Sequence, residues 1–386
     1  MAQRASVDRA MSVTPTAVPR VSAEIAEEIS ATRPPRRGRR VYRVFLGVAK
    51  RLGGSAAVIL SVITVTFLVT RVFAPDPTNL FLGAAGNGFA SAAAQAAARA
   101  KVRANLGLNG SLAAQYVRFL GQIVHGNLGI SFQTGRTVTS DLLSRLPATA
   151  ELAVYSLLFG VGLGVAVGVT SAVRRDGWLD RISRHLMVVP LAMPQFWVGL
   201  MLLWLFYTKL HLAPGPIGRL PIGVNPPPRI TGFYVIDGIL SGQWSTTWDA
   251  IRQLFLPVLT LGLGLAGPIY KVVRTSMTEA LTSDYVRTAK ALGFGPRRIR
   301  FVYDFKNGFL PVATILAGII AYTMCGSILV EGVFGWTGVG NYALQAIQTS
   351  DFPAIQGFVL YGAILYVIIY EVLDSTYTLI DPRTRR

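Results

Sequence analysis

The sequence predicts an all-α membrane protein: six spanning helices joined by polar segments, one of which folds as a helical hairpin on the cytoplasmic side. Composition is the first ground. Of the 386 residues, 52% are hydrophobic and only 15% charged, against roughly a quarter charged in soluble domains. Run length is the second, since a span needs about 20 apolar residues and six stretches qualify. The third is the charged, glycine-punctuated segment 279–311, which sits between two of those stretches and cannot lie in lipid.

The six stretches are 54–73, 149–173, 187–207, 254–273, 309–330 and 355–380. Gly160, Gly162, Gly164 and Gly168 in the second, and Pro190 and Pro194 in the third, suit close helix packing and kinks within a bundle. The one cysteine, Cys325, falls in the fifth and has no partner for an internal disulfide. Residues 1–46 are polar and basic, carry Pro34-Pro35, and lack an apolar core followed by a small-residue cleavage site, so they are not a signal peptide. They are expected to form a flexible cytoplasmic tail whose arginines lie against anionic headgroups, with 47–386 as the six-span domain.

A net charge of +18, from 37 Lys plus Arg, raises nucleic-acid binding as a rival reading. The placement of the cations argues against it. With the N-terminus inside, the inner segments collect the arginines between 33 and 43, then Arg174, Arg175, Arg181 and Arg184, then the hairpin cations, then Arg383, Arg385 and Arg386. The outer segment 331–354 has no Lys or Arg. This is the positive-inside pattern of a multi-pass membrane protein with both termini cytoplasmic.

The outer segment 74–148 is too long for a turn. It holds an Ala-rich helical run, 90–104, and then a stripe of Leu112, Tyr116, Phe119, Leu120 and Ile123 at helical spacing. Such a stripe reads as a packing face, an amphipathic helix folded onto the bundle. The inner loop 274–308 holds the hairpin. Its first helix, 285–292, is capped by Ser283 or Asp284 and puts Tyr285, Ala289 and Leu292 on one face, with Arg287 and Lys290 elsewhere. Gly293 stops it. Pro296 suits the first turn of a second helix that runs to Asn307-Gly308.

The hairpin resembles the cytoplasmic coupling loop of ABC importer permeases, specifically the dipeptide/oligopeptide/nickel family. The match is Asp284-Tyr285-Val286-Arg287-Thr288-Ala289-Lys290-Ala291-Leu292-Gly293, followed by Asn307-Gly308-Phe309-Leu310-Pro311. Where the wider superfamily has Glu-Ala-Ala before the glycine (the EAA motif), this chain has Arg287, Thr288 and Ala289, a departure shared by the peptide branch. Further matches extend the likeness over nearly all of 47–386. They include Pro75-Asp76-Pro77 after the first span, Met193-Pro194-Gln195-Phe196-Trp197 in the third, Leu256-Pro257 in the fourth, Glu331-Gly332-Val333-Phe334-Gly335-Trp336-Thr337-Gly338-Val339-Gly340 after the fifth, and Asp381-Pro382-Arg383 at the end.

This resemblance implies the type I importer permease fold. It also implies a second, homologous permease subunit, two cytoplasmic ATPases that hold ATP and Mg, an extracytoplasmic solute-binding protein, and a peptide as substrate. Nickel chelates and glutathione are the substrate alternatives within the family. Asp284, Tyr285, Arg287, Thr288, Ala289, Lys290, Leu292 and Gly293 would receive the ATPase stroke, with Tyr285, Ala289 and Leu292 as the docking face and Asp284 as the cap. Phe334, Gly335, Trp336, Gly338 and Gly340 suit a re-entrant element that lines or closes the external mouth, or else an interfacial Trp anchor.

No chemistry of its own is expected of the chain. None of its six lysines follows a glycine, so a phosphate-cradling loop is missing and no nucleotide, cofactor or metal site is expected. His125, His185 and His211 share no obvious face. Among acids near the spans, Glu371 is the candidate for a buried ion pair, with an arginine of the hairpin. A stand-alone secondary transporter would show internal repeats and broken midplane helices, and no repeat is visible.

Overall fold

A computed structural model describes residues 37–73, 92–105, 109–295, 315–316, 318–320, 322–324 and 327–380. The second hairpin helix, Leu310-Pro311, Cys325, Asp381 and residues 1–36 lie outside the described residues. The chain divides into two units, Met1–Ala57 and Val58–Arg386.

Among the described residues the fold is helical apart from one isolated bridge between Ile130 and Thr137. Helix α1 (Arg37–Leu68) already begins within the stretch expected to be tail and ends in a wider turn through Phe73. Helices α2 (Ala92–Asn105) and α3 (Leu112–Val124) follow in the long segment, close to the expected runs. Ser111 caps α3 by accepting the Ala114 N–H. The apolar stripe of α3 packs on the last turns of α1, with Phe67 5.2 Å from Tyr116 and 5.5 Å from Phe119 and the Thr64 and Tyr116 hydroxyls 2.6 Å apart.

The two longest helices are α4 (Val138–Val173) and α8 (Trp244–Thr282). Between them come α5 (Trp178–Val188), α6 (Gln195–Leu202) and α7 (Tyr234–Leu240). A Cβ at Gly160, Gly164 or Gly168 would lie 2.8 Å from Leu265, Ala266 or Val273 respectively. The contacts advance along α8 as they advance along α4, so the two helices run parallel. Glycines four apart let the backbones meet, the small-residue packing of helices in lipid. Two parallel helices require the segment between them to bring the chain back.

That return is broken. The run 187–207 is not one helix as the apolar pattern suggests: Trp178–Ala192 and Gln195–Lys209 meet at 111°. Pro190 and Pro194 each remove a backbone donor, and Met193, forced toward extended geometry by the proline that follows, has φ −111° and ψ 142°. The expected kink is a full break. Among the described residues four helices are long and apolar enough to cross a membrane, Leu52–Arg71, Val138–Val173, Trp244–Thr282 and Phe352–Val372, or five with the bent pair. Of the fifth expected span, residues 309–314, 317, 321, 325 and 326 lie outside the described set. Helices α9 (Asp284–Ala291), α10 (Ile328–Val333), α11 (Val339–Gln348) and α12 (Phe352–Ile380) complete the chain.

Candidate functional site

Helix α9 follows directly on α8 through Ser283, at the end of the bundle where α4 also finishes. Its stop is built in full. Gly293 has φ +80°, its N–H donates to the Lys290 carbonyl, and the Phe294 N–H reaches back to Ala289 O at 3.1 Å. These are the two bonds of a Schellman closure, accompanied by the apolar contact such closures favour: Phe294 packs on Val286 and Ala289. A side chain at Gly293 would meet nothing within 4 Å, so glycine is needed there for its left-handed backbone and not for space.

Two expectations for this helix are corrected. Asp284 is its first residue, not its cap. Ser283 holds the cap position, but its hydroxyl donates to Ala280 O and caps nothing. Asp284 is left favouring the helix dipole and facing Arg287 at 3.4 Å. Ala289 is not on an outward docking face: it is buried with Val286 under Phe294, because the residue that closes the turn folds over that side. Tyr285, Arg287, Thr288, Lys290 and Leu292 stay exposed, Leu292 at 69%. The outward surface is therefore a short basic patch with two apolar side chains.

The opposite end, near the start of α4, is constructed differently. Trp336 is 1% exposed and its indole N–H donates to Ala148 O at 2.8 Å. An interfacial tryptophan anchor is thereby ruled out. Phe334 is buried beside it. The turn from 334 to 340 is organised by Glu331, which is fully buried: its carboxylate accepts from Thr149 Oγ1 (2.8 Å), Ser327 Oγ (2.9 Å) and the Asn341 N–H (2.9 Å). Thr149 in turn accepts the Val339 N–H. A Cβ at Gly338 would strike Thr149 and the Glu331 carboxylate, and one at Gly340 would lie 2.9 Å from the same carboxylate. Gly335, at φ +63°, takes the left-handed turn.

A buried ion pair lies one helical turn away. Glu151 on α4 meets Arg219 at 2.5 Å and accepts the Val235 N–H, while Arg219 also donates to Gly232 O. The guanidinium lies 3.4 Å from the centre of the Tyr234 ring, a cation–π contact strengthened by desolvation. Arg219 belongs to a proline- and glycine-rich stretch, 210–233, that the apolar pattern leaves unread. Asp237 folds the end of that stretch by accepting from the N–H groups of Ile230, Thr231 and Gly232 and from the Thr231 hydroxyl. Burial pushes its carboxyl up, but these hydrogen bonds outweigh burial and leave it below the usual carboxylate range.

Sequence reading missed Arg219 and Asp237, although Glu151, an acid inside the apolar run 149–173, is the signal that a cation had to come from somewhere. Glu371 is half-buried on α12, and Arg297, Arg298 and Arg300 of the hairpin lie outside the described residues. Among those residues no group of three or more His, Cys, Asp or Glu is placed to hold a metal.

The apolar helices define a multi-pass membrane protein, with an exposed basic elbow at one end and a sealed turn at the other. Residues 160–386 match the family model described as the binding-protein-dependent transport system inner membrane component, and residues 44–153 match its N-terminal companion. The probable D,D-dipeptide transport system permease protein DdpB of Escherichia coli is 36% identical over 87% of this chain and 96% of its own length. The dipeptide transport system permease protein DppB of Alkalihalophilus pseudofirmus is 34% identical over 85% and 96%. The di/tripeptide permease DppB of Pseudomonas aeruginosa is 33% identical over 88% and 98%. The chain belongs to the family of inner-membrane permease components of binding-protein-dependent transport systems.

Proposed function

We propose that the chain is a permease subunit of an ATP-driven importer of dipeptides or oligopeptides. It would form half of the translocation pathway with a homologous subunit, and take its mechanical input from cytoplasmic ATPases through 284–293. A solute-binding protein would deliver the peptide from outside, and ATP with Mg would be held on the ATPases. Six spans with both termini inside complete this reading, with the fifth span drawn from 309–330. The relatives named above, all dipeptide or di/tripeptide permeases covered nearly end to end, support the substrate class. Nickel or glutathione import remains the alternative within the family.

The observation that carries the mechanism is the form of α9. It is a short helix, closed at Gly293, whose inner side is fixed by Val286, Ala289 and Phe294 and whose outer side presents Tyr285, Arg287, Thr288, Lys290 and Leu292 with no partner surface among the described residues. Such an element suits a cleft on another protein. Closure of the ATPases on ATP would then move the bundle as a rigid body.

Two measurements test this reading. The intact chain is expected to copurify with an ATPase that is lost when 284–293 is deleted. Uptake in cells lacking their own permease is expected to be competed by di- and oligopeptides. Retention of the ATPase by the deletion variant, or uptake competed only by nickel chelates or glutathione, would contradict the respective part.

A further inference from the structure

A third polar cluster lies at the α9 end of the bundle. Asp180, in the first turn of α5, has no exposed surface. Arg274 of α8 grips it with two parallel bonds, Nε to Oδ1 at 2.7 Å and a terminal nitrogen to Oδ2 at 2.8 Å. Arg184 adds a contact at 3.1 Å, and the Asp176 N–H donates to the same carboxylate. This is the fork-on-carboxylate geometry that fixes orientation as well as separation. Arg274 stands on the last turns of α8, which ends at Thr282 immediately before α9.

From this clamp the chain climbs α8 in register. Met187 packs on Ala266 and Tyr270. A Cβ at Gly267 would lie 2.6 Å from Met187 O and 2.7 Å from Leu191. After the break at Pro194, Gly199 of α6 is so close to its neighbours that a Cβ would lie 3.2 Å from Phe334 and 3.3 Å from Thr260. Close packing of this kind transmits displacement and does not absorb it. A continuous series of contacts therefore joins the foot of α8, the broken third span and the buried turn that contains Phe334.

We infer that the Asp180–Arg274 pair is a positioning clamp that makes the broken span follow α8 when α9 is displaced, carrying the stroke toward the Phe334 turn. The inference rests on the proposed reading of α9 as the docking helix. Neither residue touches nucleotide or peptide in this account. Their role is to keep α5 from sliding on α8. Without the clamp, the ATPases would still close, but the far end would answer incompletely.

The test uses the complete importer, with its ATPases and binding protein, in proteoliposomes. It reads uptake of tritiated alanyl-alanine and ATP hydrolysis side by side. Asp180→Asn should raise the ATP consumed per peptide by about tenfold, within the usual range of coupling between sites, while the ATPase still copurifies. The exchange Asp180→Arg with Arg274→Asp should recover part of the ratio. Arg274→Lys, which keeps the charge but loses the fork, should give an intermediate ratio and decides the matter if Asp180→Asn fails to reach the membrane. An unchanged ratio in Arg274→Lys and Asp180→Asn, or uptake and hydrolysis falling together in an assembled complex, would overturn the clamp. If the parent chain itself neither retains the ATPase nor moves the peptide, the functional reading fails instead.

Discussion

The two ends of the bundle are built on opposite plans. Around Ala148 to Glu151, two buried carboxylates, a buried arginine and an indole are each hydrogen-bonded, and the glycines of the 334–340 turn are there because nothing larger fits. On the outward side of α9 the side chains are exposed, the Asp284–Arg287 ion pair is a surface contact, and the glycine at 293 has open space around it. Hydrogen-bonded polar groups in a dry interior fix one another's geometry, so the first end is held tightly, with Arg219 Nε the atom of that ion pair left without a partner. At the second end the buried Asp180–Arg274 pair lies behind an α9 whose own outward side is locally simple and exposed. The proposed drive by separate ATPases would need that contrast: a stiff body and an accessible handle.

The largest effect expected from breaking this contrast is at the ion pair. Glu151→Ala should cost about 3–5 kcal/mol, because Arg219 is left buried without its counter-charge. The loss is read from unfolding in detergent, and replacing both residues by Leu and Met should restore most of it. An equal loss in the single and double variants would show that the pair itself, and not the orphaned charge, supplies the stability. Gly338→Ala comes next, at about 1–3 kcal/mol from overpacking against Thr149 and Glu331.

At the handle, Gly293→Ala should cost only about 1–2 kcal/mol of local backbone strain and leave the unfolding midpoint of the bundle in place. Gly293→Glu, whose side chain also has open space, should lower peptide uptake while membrane insertion and ATPase activity persist. Normal uptake by that variant in cells lacking the native permease would break the comparison at this end.

The smallest effect concerns acid. Asp237 has a carboxyl depressed in the folded chain, so its contribution is complete above the unfolded value of about 3.9 and is lost as pH falls through the lower folded value. Asp237→Asn should therefore flatten the acid limb of the stability profile and leave neutral pH nearly untouched by titration. An unchanged acid limb would place the hydrogen bonds of Asp237 in the unfolded chain as well.

Much of this was legible in the sequence, for identifiable reasons. Apolar run length marked α1, α4, α8 and α12 because a spanning helix leaves no alternative for its backbone. Gly293 was legible because a left-handed stop has few substitutes. The facing of α9 was not: Tyr285-Ala289-Leu292 and Val286-Ala289 are both valid helical stripes, and only the fold-back of Phe294 selects the second. The 111° break was read as a kink, since hydropathy does not distinguish a bent crossing from a straight one. Arg219 was invisible because its partner is 68 residues away and its own stretch, dominated by Pro and Gly, has no periodicity to read.

The glycine seam between α4 and α8 also bears on where cargo can travel. With methyl-sized intrusions at Gly160, Gly164 and Gly168 already forbidden by the neighbouring backbone and side chains, this seam admits no water file, no ion and no peptide, whatever the rest of the bundle does. In the proposed importer the conduit would open on another flank of these two helices, with the pair as a closed wall beside it.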